Sequence, residues 1–149
     1  MKILVDADAC PVKDIIEEVA KEYNISVYMF VDTSHILTSD YSKIIVVSKA
    51  PDAVDFALFN HTLKGDIIVT QDYGVAAMAL GKGAYAIHHK GKEYLDENID
   101  QMLMERHIAK KVRMAGGRLK GSTKKRTSEE GEKFRFAFHR ICKKAMNNS

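Results

Sequence analysis

The sequence predicts an α/β domain, a three-layer sandwich with a mainly parallel sheet and C-terminal helices. Three observations carry that prediction. Short β-branched runs alternate with helical segments. The runs are mostly apolar throughout, as in strands covered on both faces. A chain of 149 residues with 46% hydrophobic content fills one core, so residues 1–149 read as a single domain whose last part, from about 106 to 149, is a basic helical extension. Right-handed crossovers between parallel strands then place helices on both faces of the sheet.

The elements follow in chain order. Lys2-Ile3-Leu4-Val5-Asp6 is the first strand, and Pro11 suits the first position of a helix. In that helix Val12, Ile15, Ile16, Val19, Ala20 and Tyr23 share one face, Lys13, Asp14, Glu17, Glu18, Lys21 and Glu22 take the other, and Asn24 ends it. Ile25–Val31 and Lys43–Ser48 supply the next two strands. Pro51 opens a second helix with Gly65 as its stop, and Asp66–Thr70 is the fourth strand. Gln71-Asp72-Tyr73-Gly74 leads into an alanine-rich helix that closes near Gly81 and Gly83, before a fifth strand over Ala84–His88. Ile99, Met102 and Leu103 mark a further helix. Thr127 and Glu130 have capping-box spacing, and behind them Phe134, Ala137, Phe138, Ile141, Cys142 and Ala145 form one apolar stripe.

Charge divides the chain. The net charge is +3, but residues 1–105 hold 9 Lys and Arg against 17 Asp and Glu, a net −8, while residues 106–149 hold 14 against 3, a net +11. A basic C-terminal third on an acidic body implies either internal docking or a polyanionic partner such as nucleic acid, with RNA favoured. No apolar run approaches the ~20 residues of a membrane span, so no membrane partner is expected. The apolar run Ile3-Leu4-Val5 that meets Asp6 is only three residues long, too short for a signal peptide, and a cytoplasmic location is the expectation. In that compartment Cys10 and Cys142 are expected as thiols.

In parallel α/β sheets ligands bind beyond the carboxyl ends of the strands. Aspartates occupy those places here. Asp6 and Asp8 follow the first strand, Asp32 the second and Asp72 the fourth, while Asp52 and Asp55 lie near the start of the second helix. Two unit charges 4 Å apart repel by ~4 kcal/mol at an effective dielectric of 20, so gathered carboxylates call for a cation or for protons. Oxygen ligands favour Mg²⁺ or Mn²⁺ over zinc. Each aspartate also has a structural reading: Asp72 suits a helix N-cap and Asp32 a turn. Convergence of Asp6, Asp8, Asp55 and Asp72 requires the first and fourth strands to be neighbours. Cys10 near a helix start, the His88-His89 pair and the glycine-rich Gly116–Gly121 segment are weaker candidates, each with a packing or loop role as the plainer reading.

Val5–Val12 (VDADACPV), Pro51–Asp55 (PDAVD), Gly65–Ala76 (GDIIVTQDYGVA) and Gly83-Ala84 leading to the KGKEY stretch together resemble the bacterial YaiI/YqxD family over almost the whole chain. Where that family has a Gly-Gly-Pro element, this chain has Gly121-Ser122. Such proteins resemble PIN-like domains, whose metal-dependent nucleases collect acids from the first strand, a central helix and the end of strand four. The resemblance implies Asp6 as the strand-one ligand, Asp55 as the helix acid, Asp72 as the strand-four acid and Asp8 as an added member.

These readings lead to a Mg²⁺- or Mn²⁺-dependent phosphodiester hydrolase of RNA or DNA, with Asp6, Asp8, Asp55 and Asp72 at the metal and Lys13, Arg118, Lys120 and Lys124 as phosphate contacts. Two alternatives stand beside it. One is a non-catalytic nucleic-acid-binding protein with a structural acid site. The other starts from Asp6-Ala7-Asp8, which resembles the opening motif of haloacid-dehalogenase-type phosphatases, with Asp6 as nucleophile and Asp8 as acid/base.

Overall fold

The computed structural model describes residues 1–8, 10–99 and 128–148. Six strands form one sheet: β1 (Ile3–Asp6), β2 (Val27–Asp32), β3 (Lys43–Val47), β4 (Ile67–Val69), β5 (Tyr85–Ile87) and β6 (Glu93–Tyr94). Their order is β3-β2-β1-β4-β5-β6, parallel throughout except that β6 runs antiparallel to β5. The chain direction across the sheet therefore reverses between β1 and β4, the place where such sheets bind ligands. Among the described residues four helices cover it: α1 (Lys13–Tyr23), α2 (Ala53–His61), α3 (Tyr73–Gly81) and α4 (Ser128–Asn147).

Alternate side chains of each strand point to opposite faces, and two cores result. Ile3, Val5, Val27, Met29, Ile67 and Val69 face α1 and α4, where Ile16, Val19, Phe134, Phe138 and Ile141 meet them. Leu4, Phe30, Ile68 and Ala86 face α2 and α3, against Leu58, Val75, Ala76 and Ala79. This is the expected three-layer sandwich. The six apolar positions predicted for the last helix are all buried, so α4 closes the first core and is no appendage.

Some boundaries differ from the sequence reading for local reasons. Pro11 sits in a turn ahead of α1, which begins at Lys13, because Lys13 Nζ reaches back to the Ala7 and Cys10 carbonyls (3.0 and 2.9 Å) and holds the chain in a longer loop. Asn24 ends α1 as expected, in the left-handed conformation that asparagine tolerates. The second helix stops at Thr62, short of Gly65. Lys82 Nζ caps the carbonyls of Phe59 and Thr62 there, and Gly65 instead makes the turn into β4 with φ +89°. The two-residue β6 has too little pattern to be read from sequence. The remainder of the helix predicted from Ile99, the basic stretch 106–126 and the Thr127 cap lie outside the described residues.

The register of β1 on β4 is fixed at its amino end by one buried carboxylate. Asp66, 2% exposed, accepts from the backbone N–H groups of Lys2 (3.0 Å) and Leu63 (2.8 Å) and pairs with Lys2 Nζ at 2.6 Å. Ile67 N–H returns a bond to the Lys2 carbonyl (3.0 Å), and Ile3, Leu4 and Val5 then lie opposite Ile67, Ile68 and Val69. Truncating one partner of a buried, hydrogen-bonded pair strands the others. Asp66→Ala is therefore expected to lose about 3 kcal/mol in urea unfolding. A loss below about 1 kcal/mol, the size of an exposed pair, would show that the clasp does not set the register.

Candidate functional site

The neighbouring carboxyl ends of β1 and β4 bring Asp6 and Asp72 to one edge, with Thr70 between them. Thr70 Oγ1 donates to Asp6 Oδ2 across a long 3.5 Å and accepts from the Asp72 N–H at 3.0 Å, while its carbonyl accepts from Tyr94 Oη at 3.1 Å. Thr70 is buried, and its hydroxyl links the Asp6 carboxylate to the backbone of Asp72. Asp72 is also the N-cap of α3, accepting from Val75 N–H at 3.1 Å. A Cβ at Gly74 would stand 3.1 Å from the capping oxygen, which explains a glycine in the first turn of α3. The cap and the site readings of Asp72 are thus compatible: one oxygen caps.

Asp55 projects from the first turn of α2, behind Asp52, which takes the left-handed conformation (φ 63°) at the helix start. The acids share a field. Burial, then the negative charges of Asp55, Asp8 and Asp72, push the Asp6 carboxyl up to about 6. Burial, then Asp72 and Asp52, raises Asp55 as well. Asp8, Asp55 and Asp72 therefore all act on Asp6, and Asp72 acts on Asp55 as well, though no three of their oxygens form a group within 4.8 Å. Among the described residues only Asp8, Asp32 and His35 do that.

That second group lies on the β2 side of the same edge. His35 Nδ1 is 3.1 Å from Asp8 Oδ1 and 3.2 Å from Asp32 Oδ1. Asp8 Oδ1 is shielded from solvent, and the ring nitrogen, close as it is, does not have hydrogen-bond alignment to it. Hydrogen bonds from Ser34, then His35, hold the half-buried Asp32 down to about 2. Asp32 is the turn residue expected, accepting from Ser34 N–H at 2.8 Å, and it is also the neighbour of Asp8. His35 and Thr70 were missed from sequence. The spacing of His35 three residues after Asp32 was the available signal for one, and the polar end of the DIIVT strand for the other.

Other candidates fall around this edge. Lys13 commits two of its three donors to loop carbonyls and braces the Asp8 turn. Cys10, buried, lines a small pocket with Asp6, Val69, Thr70, Gln71 and His89, in which His89 Nε2 lies 3.3 Å from Gln71 Oε1. Neither cysteine is in a disulfide; burial pushes the Cys142 thiol up to about 12, which suits a core residue. Arg118, Lys120 and Lys124 lie outside the described residues.

Comparison with known proteins now decides the family. The sequence profile described as "Uncharacterized BCR, YaiI/YqxD family" matches residues 4–144. The chain belongs to the YaiI/YqxD family. A UPF0178 protein of Clostridium acetobutylicum is 61% identical over 143 residues, 95% of this chain and 96% of that one. UPF0178 proteins of Lachnoclostridium phytofermentans (61% over 145 residues, 96% and 97% covered) and Natranaerobius thermophilus (46% over 135 residues, 91% and 91%) are similar along nearly their full lengths. No solved structure gives a significant match. In this YaiI/YqxD-family chain no described helix is long and apolar enough to cross a membrane.

Burying Asp6 among like charges has a cost that depends on pH. Its folded-state pKa lies above the ordinary 3.8, so the penalty is absent below about pH 4, grows as pH rises through the 3.8-to-6 window and is complete above it. Neutral Asp6→Asn escapes the penalty. In the presence of a chelator it should gain up to about 3 kcal/mol over wild type at pH 8 and nothing at pH 4. Equal unfolding curves at both pH values would mean that Asp6 is not held in a repulsive field.

Proposed function

We propose that this protein is a Mg²⁺- or Mn²⁺-dependent phosphodiester hydrolase acting on nucleic acid, with RNA the favoured substrate. The observation that carries the reading is the field that Asp8, Asp55 and Asp72 set up at Asp6, four acids from three segments at the carboxyl edge between β1 and β4. Their donor set is all oxygen and fits a hard divalent ion. The shielded, unaligned Asp8 Oδ1 adds an oxygen whose solvation the chain has removed without replacing it. The four carboxylates would hold the cation directly or through water.

A divalent cation in such a site supplies Lewis acidity toward phosphate and lowers the pKa of water. The chain's own groups do the rest. Thr70 orients Asp6, the α3 cap fixes Asp72, and the Lys13 bonds to Ala7 and Cys10 hold the turn that carries Asp8. Asp6, held up to about 6, is the acid that must release a proton when a cation enters, so Mn²⁺ affinity should rise between pH 5 and pH 7 and level off above. A pH-independent affinity over that range would exclude Asp6 as a ligand.

One observation favours a non-catalytic nucleic-acid-binding protein: among the described residues no three oxygens of the four acids close to within 4.8 Å, as a preformed cation site would. Turnover separates the readings. Asp72→Asn keeps the α3 cap, because asparagine caps as well as aspartate, but removes one negative charge. It should leave thermal stability intact while weakening Mn²⁺ binding in calorimetry at least roughly tenfold, the lower cost of disturbing even outer-sphere metal partners. Mn²⁺-dependent cleavage of a fluorogenic single-stranded RNA should fall with it. Wild-type protein that binds the RNA but never cleaves it in Mg²⁺ or Mn²⁺ would leave the binding protein as the answer.

A further inference from the structure

Helix α4 carries two separate rows of side chains. Its inner row closes the core, and its flanks pair with the acidic body: Arg135 with Glu18 at 2.7 Å, His139 with Glu22 at 3.7 Å, and Lys144 with Glu93. The outward row is different. Lys133, Phe136, Arg140 and Lys143 stand at three- and four-residue spacing and are all exposed, Phe136 by 71%. Lys133, Arg140 and Lys143 make no ion pair among the described residues. From Lys133 to the last residue the sequence has no acidic side chain at all. Phe136, His139, Arg140 and Lys143 line a groove along this face.

The row also leads to the aspartates. Gly91 packs so closely on the start of α4 that a Cβ there would come within 3.0 Å of the Lys133 carbonyl oxygen. Two residues earlier, His89 lines the Asp6 pocket, and two residues of chain reach at most about 7 Å. At the other end, Asn148 donates to Tyr85 Oη (2.8 Å) at the start of β5. The row therefore starts at the carboxyl edge and runs about 15 Å down the side of the domain from Lys133 to Lys143.

From this juxtaposition we propose that the outward face of α4 is a docking track for single-stranded nucleic acid, with Arg140 and Lys143 on phosphates and Phe136 stacking on a base. An exposed aromatic between cations that make no ion pair among the described residues matches the two parts of such sites, a charged track and a stacking platform. A second copy of this chain is a poorer occupant, since it would bring the same cations to face these. The proposal rests on the nucleic-acid part of the proposed function and supplies the surface that presents the strand to the Asp6 edge.

The test uses the full chain, a fluorescein-labelled 12-residue oligouridylate and a chelator, with binding read by anisotropy over a range of salt. Arg140→Gln/Lys143→Gln should flatten the dependence of log affinity on log salt by about 0.7 for each contact removed. Phe136→Ala should weaken binding roughly 5- to 150-fold with no change in that slope, and Phe136→Tyr should restore it. Mn²⁺ titration of these variants should match wild type. Wild-type affinity and slope in both Phe136→Ala and the double variant overturn the track while Mn²⁺ binding keeps the metal reading alive. Sedimentation showing a dimer that Phe136→Ala dissociates, with RNA binding unaltered, overturns it in favour of self-association. Wild type that binds the oligonucleotide through α4 yet neither binds Mn²⁺ nor cleaves leaves the track standing and removes the hydrolase.

Discussion

The parallel pairing of β1 with β4 is the constraint on which the rest of this molecule depends. It joins two strands 64 residues apart at Lys2 and Asp66, and everything of chemical interest hangs from their far ends. Side chains alternate along a strand, so a one-residue slip of β1 would send Leu4 into the wrong core and turn Asp6 away from the edge. The buried Asp66 prevents that slip by taking three donors at one end of the pair. Thr70 does the matching work at the other end, where its hydroxyl and carbonyl tie Asp6, Asp72 and Tyr94 together. The polar clasps lie outside the apolar middle, so neither interrupts the two cores.

The edge they create is electrostatically unfavourable. Burial and like charges that raise Asp6 and Asp55 also oppose folding, and a chain selected for stability alone would replace one of these acids. The opposing apolar burial is ample: Leu4 and Ile68, fully buried, are each worth about 1.5 to 3 kcal/mol. Local repulsion of a few kcal/mol is therefore tolerable. A proton taken up by Asp6 relieves part of it.

Much of this was legible in the sequence, and what was not has identifiable causes. The strand and helix order followed from periodicity, and adjacency of β1 and β4, which the sheet has, was the condition set by a meeting of Asp6 and Asp72. The membership of Asp32 and His35 in the Asp8 neighbourhood was hidden, because it depends on β2 lying beside β1 and on a turn whose geometry Ser34 sets. Boundaries moved where a long side chain did the capping: Lys13 lengthened one loop and Lys82 shortened one helix, and neither leaves a periodic signature. The roles of Asp66 and Thr70 needed the register itself.

Helix α4 shows how one segment can satisfy fold and surface at once. Its apolar residues recur at 134, 137, 138, 141, 142 and 145, which uses one side of the 3.6-residue turn. The flanks carry Arg135 and Lys144, ion-paired with Glu18 and Glu93, and His139 beside Glu22, so part of the basic C-terminal third does dock on the acidic body. Such part-exposed pairs contribute at most about 1 kcal/mol each, and they orient the helix more than they hold it. The orientation matters because it decides which side is left over. With the apolar row turned inward and the paired cations at the flanks, the side left facing water is the one with Lys133, Phe136, Arg140 and Lys143. An exposed phenylalanine in that row gains nothing for the core, and the cations beside it gain nothing from the body. Folding accounts for the inner row and the flanks, and the outward row is where it stops accounting for the sequence.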